Sequence, residues 1–252
     1  MFKDLHRKEQ PLLICNVWDV SSSLIAERNG FSAIGTSSAA IAKMLGKEDG
    51  EHVLFEELLS IVTAISNLSS LPLTVDIESG YGDSSEVIAE NIIELAKVGV
   101  VGVNIEDSTV VQGERLLCDE IEFANKLKSV KAILNQMNIT MFVNVRSDTY
   151  LLNIEDALEV SIERIAMYQR AGADGIFLPC LKFPNDIRAV VASTELPINV
   201  MCVPDLPDFE MLERLGVKRI SMGNFLHEAM LDSFSSMLSS IVSEKSFGQL
   251  FK

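Results

Sequence analysis

The sequence predicts an α/β protein, a closed (β/α)8 TIM barrel occupying residues 1–252 as one domain. Three observations predict it: eight short β-branched runs, helical periodicity in the stretches between them, and glycine and proline punctuation that alternates along the chain. A chain of 252 residues matches the roughly 250 that such a barrel commonly uses. The runs span 12–17, 33–38, 73–78, 102–107, 141–146, 175–179, 198–203 and 219–222. They read as strands buried on both faces, without polar alternation, as parallel strands under crossover helices are.

Pro11 precedes the first run, and Gly30 ends the helical stretch before the second, where a left-handed residue can close a helix without a Cβ clash. Pro72 then opens the third run, and Gly99 stands before the fourth. Gly172 precedes the sixth, Pro197 the seventh and Gly216 the eighth, a two-strand rhythm too uneven for a tandem repeat. Residues 84–97, 120–135 and 155–170 suit helices. The last helical stretch, 225–242, sets Leu226, Met230, Phe234, Leu238 and Ile241 on one side, to close its own barrel or to pack on another subunit.

Composition narrows the function. A formal net charge of -15 argues against nucleic-acid or anionic-membrane partners, which require clustered Lys and Arg. Cys15, Cys118, Cys180 and Cys202 are scattered without CxxC spacing, the pattern of reduced thiols in a cytoplasmic protein. No secretion signal and no membrane span is expected. His6, His52 and His227 lie far apart, so any metal falls to oxygen ligands.

The chemistry is predicted at strand ends. In Thr74-Val-Asp-Ile-Glu-Ser-Gly-Tyr-Gly82, Asp76 and Glu78 stand two apart on a strand and are expected on one face. Glu106 ends the next run at the equivalent height, and barrel enzymes keep their active sites at this end. Two unit charges about 5 Å apart repel by roughly 3 kcal/mol at an effective dielectric near 20. A shared proton, a salt bridge from Arg146 or a divalent cation would relieve that, and the oxygen-only set suits Mg2+ or Mn2+. Arg146 shares a face with Asn144 and Asp148 and could clamp a substrate carboxylate. Ser37 and Ser38 could hold an anion at a helix start. Trp18, Asp19 and Asn199 are further candidates for a pocket wall.

With these residues in place the chain resembles the isocitrate lyase and phosphoenolpyruvate mutase superfamily. The likeness runs from Asn16-Val-Trp-Asp19 to Arg219-Ile-Ser-Met-Gly223. It rests most on Asp76-Ile-Glu-Ser-Gly-Tyr-Gly82, Asn104-Ile-Glu-Asp107, Val145-Arg-Ser-Asp148 and Ala171-Gly-Ala-Asp-Gly175. The resemblance implies Mg2+ at Asp76, Glu78 and Glu106, with Asp49 of Lys47-Glu-Asp-Gly50 behind them. It implies that Ser37, Ser38 and Arg146 bind substrate, and that the last helix swaps between subunits of a homo-oligomer, a dimer or tetramer.

Two departures stand out. Glu78 replaces the family's usual Asp. The loop where lyases carry Lys-Lys/Arg-Cys-Gly-His reads Ser108-Thr-Val-Val-Gln-Gly-Glu-Arg-Leu-Leu-Cys118, and Cys118 beside the N-cap candidate Asp119 reads as structural. Isocitrate and methylisocitrate cleavage are therefore disfavoured. The expectation is a Mg2+-dependent lyase-like or mutase-like enzyme that stabilises the enolate of a small 2-oxo acid while a C–C or C–P bond to C3 breaks or forms. Oxaloacetate decarboxylation is the concrete case. Phosphoenolpyruvate or phosphonopyruvate mutase or hydrolase chemistry, and a non-catalytic ligand-binding barrel, are the alternatives.

Overall fold

Leu12–Leu13 and Cys15–Val17 are two pieces of one strand, and they close the sheet. The first piece pairs in parallel with Arg219–Ser221, the second with Ile34–Thr36, and between them the Ile14 N–H donates to the Ile220 carbonyl at 2.8 Å. The computed structural model describes residues 2–251. The remaining strands are Leu73–Asp76, Gly102–Glu106, Phe142–Arg146, Gly175–Phe177 and Ile198–Met201, each parallel to its neighbours in chain order around the ring. All eight predicted runs are strands, so the barrel expectation holds.

Helices follow the strands: Val20–Arg28, Ser38–Met44 with Phe55–Leu68, Ser85–Lys97, Glu120–Gln136, Ala157–Ala171, Pro184–Ala192, Phe209–Arg214 and Phe225–Glu244. Gly30, Gly99, Gly172 and Gly216 all have positive φ, between 78° and 99°, as their place after helices requires. Between strand and helix cores sit Val75, Val103, Val143, Val145, Ile176, Val200 and Ile220, all buried. This shell carries the hydrophobic stabilisation, at about 25 cal/mol per Å² of apolar surface removed from water.

The inner face corrects the sequence reading. Strands three to five, seven and eight do alternate, because Thr74, Asn104, Asn144, Asn199, Arg219 and Ser221 fill the barrel with buried polar groups. Asn144 donates its amide to the side-chain oxygens of Asn104 (2.9 Å) and Asn199 (3.2 Å), and Arg219 Nη2 donates to Thr74 Oγ1 (3.2 Å). Burial without partners would be costly, and the asparagines bond to one another across strands, while Arg219 is satisfied through Nη2 alone.

The two mouths differ. At the N-terminal mouth the 3-10 turn Phe2–Arg7 inserts Phe2 and His6 against Phe142, with His6 and Phe142 stacked 4.4 Å apart. Beyond the eighth strand, the helix Phe225–Glu244 buries only His227 and leaves Leu226, Met230, Phe234 and Leu238 exposed. It does not close its own barrel with that stripe, so the first of the two roles expected for it is set aside.

Candidate active site

At the C-terminal mouth a cavity of about 230 Å³ is walled by Asn16, Ser37, Ser38, Asp49, Asp76, Asn104, Arg115 and Arg146, among others. Strand register builds its charged floor. Glu106 and Arg146 are direct neighbours across strands four and five, while Asp76, Asn104 and Asn144 align one level below. Arg146 Nη1 lies 2.9 Å from Glu106 Oε2, and its Nε and Nη2 donate to the two carboxylate oxygens of Asp148 at 2.6 and 3.1 Å. The ion-pair role weighed for Arg146 is thus realised, and the same guanidinium faces the cavity.

Asp76 accepts a hydrogen bond from the Ser38 hydroxyl at 3.0 Å, and burial raises its pKa while Arg146 opposes the rise. Ser37 caps the helix Ser38–Met44 by accepting from the Ala40 N–H. Both serines line the cavity, and Asp49 reaches it from the loop before residue 50.

Glu78 departs from its expected place. The strand stops at Asp76, and Glu78 has φ 48°, so the two acids do not project as residues i and i+2 of one strand. Its carboxylate accepts from the Glu51 N–H (2.6 Å) and the Tyr81 hydroxyl (3.0 Å). Glu51 and Tyr81 are themselves left-handed, at φ 61° and 56°, a concentration of backbone strain characteristic of functional loops. Glu78 still feels its neighbours: burial first, then repulsion from Asp49, Asp76 and Glu106, push its pKa up to about 8. Burial likewise raises Glu106, with the arginines pulling the other way.

Trp18, Asp19 and Asn199 do not line this cavity. Trp18 and Asp19 border a separate cavity of about 560 Å³ between the first and last helices, where Asp19 caps the helix Val20–Arg28 and Trp18 packs edge-on to His227. Asn199 belongs to the interior ladder, donating to Ser221 Oγ at 3.1 Å.

The principal residue that sequence reading missed is Arg115. The segment that departs from the lyase motif forms an antiparallel hairpin, Ser108–Val111 with Glu114–Leu117, and Arg115 extends from it into the cavity. Its Nη1 contacts Glu106 Oε1, donates to Ser108 Oγ at 2.9 Å and lies 3.4 Å from Asp148, while Nη2 lies 3.5 Å from Asp49. The available signal was Gln112-Gly113 between β-prone flanks, and the structure gives both residues positive φ, as a primed two-residue turn requires. Cys118 lies outside the cavity lining. Its carbonyl accepts from Arg164, its thiol pKa is raised by burial, and the adjacent Asp119 caps the next helix.

The donor chemistry fits a hard divalent cation. Asp49, Asp76, Glu78 and Glu106 share one electrostatic neighbourhood, and Glu106 Oε2 is buried without an aligned hydrogen bond. Among the described residues no three His, Cys, Asp or Glu side chains already stand as a ready cage. Glu78 and Glu106 are turned instead toward Tyr81 and the arginines.

A parallel barrel with acids, arginines and hydroxyls at the C-terminal strand ends has its polar cavity where barrel enzymes keep their active sites. The chain belongs to the phosphoenolpyruvate phosphomutase family, whose profile matches residues 2–242. It is 35% identical over 230 residues to the uncharacterized protein Rv1998c of Mycobacterium tuberculosis (strain ATCC 25618 / H37Rv), covering 91% of this chain and 84% of that one. It is 30% identical to an oxaloacetate decarboxylase of Rhodopseudomonas palustris (strain ATCC BAA-98 / CGA009), covering 90% and 78%. A candidate phosphonomutase from Burkholderia cenocepacia J2315 superposes with a TM-score of 0.88 at 34% identity, covering 95% and 97%. The family expectation drawn from the sequence is therefore correct, and the chain is an enzyme of the lyase and mutase kind.

Proposed function

We propose that the protein is a Mg2+-dependent lyase of a small 2-oxo acid, with oxaloacetate decarboxylation as its reaction. The observation that carries this reading is the small cavity where Arg146, Arg115, Ser37 and Ser38 face Asp76, Glu106 and Asp49. A cavity of about 230 Å³ suits a compact dicarboxylate. Asp76, Glu78 and Glu106, with Asp49 behind them, would hold the cation, which when bound supplies positive charge against the developing enolate oxygen. Arg146, held by Asp148, presents a fixed guanidinium to the substrate carboxylate. The Ser38 hydroxyl, which donates to Asp76, lines the same cavity and would meet the 2-oxo group there. Solvent protonates C3 after CO2 leaves, so no loop cysteine is needed.

Incubation with oxaloacetate and Mg2+ is expected to yield pyruvate above the uncatalysed background, and EDTA should abolish the excess. Equal rates with and without protein would remove the assignment. The 34% identity to the candidate phosphonomutase favours one second reading, carbon–phosphorus chemistry, for which phosphonopyruvate turnover is the discriminating assay.

The exposed stripe of Phe225–Glu244 supports a homo-oligomer built by exchange of this helix between copies, measurable by sedimentation. Four free cysteines support a reducing, cytoplasmic setting. No helix among the described residues is long and apolar enough to cross a membrane.

A further inference from the structure

We infer that Arg115 is a substrate-binding residue held in reserve: it pairs with Glu106 and Asp49, two of the acids proposed to hold the cation, and metal binding would release it to grip the anionic group on C3 of the substrate. The inference rests on the proposed metal-dependent lyase reading and deepens it. It starts from charge. Glu106, Asp148 and Asp49 present three carboxylates to Arg115, whose own side chain is only 16% exposed. Glu106 is the centre of the cluster, since Arg146 takes one of its oxygens and Arg115 the other. A divalent cation using Glu106 must compete with a guanidinium already there.

The attachment of Arg115 suits exchange. It comes from a two-stranded hairpin whose outer residues, including Val111, Glu114 and Leu116, are exposed, and an isolated hairpin is marginally stable by itself. Arg146 by contrast sits at the end of a barrel strand with a bidentate Asp148 contact. One arginine is therefore fixed and the other movable within the same small cavity. A 2-oxo acid with a second anionic group at C3, a carboxylate or a sulfonate or phosphonate, supplies the new partner that the released fork requires. When the C3 group leaves as CO2, its contact with Arg115 favours the bound substrate over the transition state. Arg115 therefore acts on capture more than on the chemical step.

The test uses Mn2+ as the metal probe, with affinity read by calorimetry and by the Mn2+ spin-resonance signal in the absence of substrate. Arg115→Ala is expected to bind Mn2+ about tenfold more tightly than the native protein, because a competing cation within contact distance is gone. With Mn2+ saturating, the variant should bind sulfopyruvate about tenfold more weakly while its affinity for oxalate, which mimics the enolate but carries nothing at C3, stays unchanged. With oxaloacetate, KM should rise more than kcat falls. Arg115→Met replaces the alanine variant if that protein fails to fold, and Arg115→Lys should restore the native Mn2+ affinity while recovering only part of the sulfopyruvate affinity. Equal Mn2+ affinity in native and variant proteins overturns the inference while leaving the lyase reading intact. So does equal weakening of oxalate and sulfopyruvate. No Mn2+ binding by either protein overturns both.

Discussion

The two mouths of the barrel are built from opposite materials. At the N-terminal mouth Phe2, His6 and Phe142 interlock beside Leu12, Ile14 and Ala33, and the left-handed turns fall mainly on glycines, Gly30, Gly99, Gly172 and Gly216. At the C-terminal mouth carboxylates and guanidiniums crowd a cavity, and Glu51, Glu78, Tyr81 and Cys180 are held left-handed. One mouth is optimised for burial; the other holds left-handed backbone and crowded acids that Arg115 and Arg146 offset in part. Substitutions at the first should therefore cost stability, and substitutions at the second should cost activity.

The strongest test of that division is Glu78→Gln. Activity toward oxaloacetate, as kcat/KM, is expected to fall by about 10³-fold, as for loss of one electrostatic group in a catalytic site. Stability should move the other way. The Glu78 pKa is raised to about 8 in the fold against an ordinary 4.5, so the metal-free native protein loses stability as pH climbs from about 4.5 to 8. The glutamine variant should lack that decline and melt at or above the native temperature at pH 8. A large drop in melting temperature with activity retained would invert the comparison.

Phe142→Ala is the mirror experiment. Denaturant unfolding should show a loss of about 3–4 kcal/mol, the usual cost of emptying a buried aromatic site. The kcat/KM per folded molecule should stay within about threefold, since the side chain lies at the opposite end from the chemistry.

A smaller effect comes from His6, which burial first and Arg219 second hold at a pKa of about 3 against an ordinary 6.5. The fold accepts only the neutral ring, so its contribution is whole above pH 6.5 and drains away as pH falls toward 3. By pH 5 the loss is about 2 kcal/mol, and His6→Phe should flatten that part of the stability profile. An unchanged profile would show that the N-terminal plug does not exclude water as its packing implies.

The smallest expected effect is at Cys118. Its thiol is pushed up by burial and sits outside the cavity lining, so Cys118→Ser should keep kcat within about twofold. A collapse of activity would place it in the chemistry after all.

Much of this architecture could be read from residue order. The eight strands, the left-handed glycines before the even ones, and the acids at the ends of strands three and four follow from periodicity and punctuation, which are local properties. What escaped was set by closure of the ring. The interior polarity of Asn104, Asn144 and Asn199 was hidden because each lies in an otherwise apolar run, and only the register shows them meeting across strands. The Glu78 orientation was missed because a left-handed glutamate has no sequence signature. Trp18 and Asp19 were misplaced because proximity to a strand end does not say on which side of the first helix a side chain falls. Arg115 needed the hairpin, whose turn residues were legible but whose direction was not.

Arg219 gives the barrel a feature with a consequence for the acids above it. Its guanidinium is buried on the interior ladder, with Nε and Nη1 unbonded and Asp76 as the charge that offsets it. The charge of Asp76 thus acts on the buried Arg219 as well as on the mouth. An enzyme descending from this one could exchange its outer acids for other functions, but surrendering the charge of Asp76 would leave a lone cation sealed in the middle of the molecule.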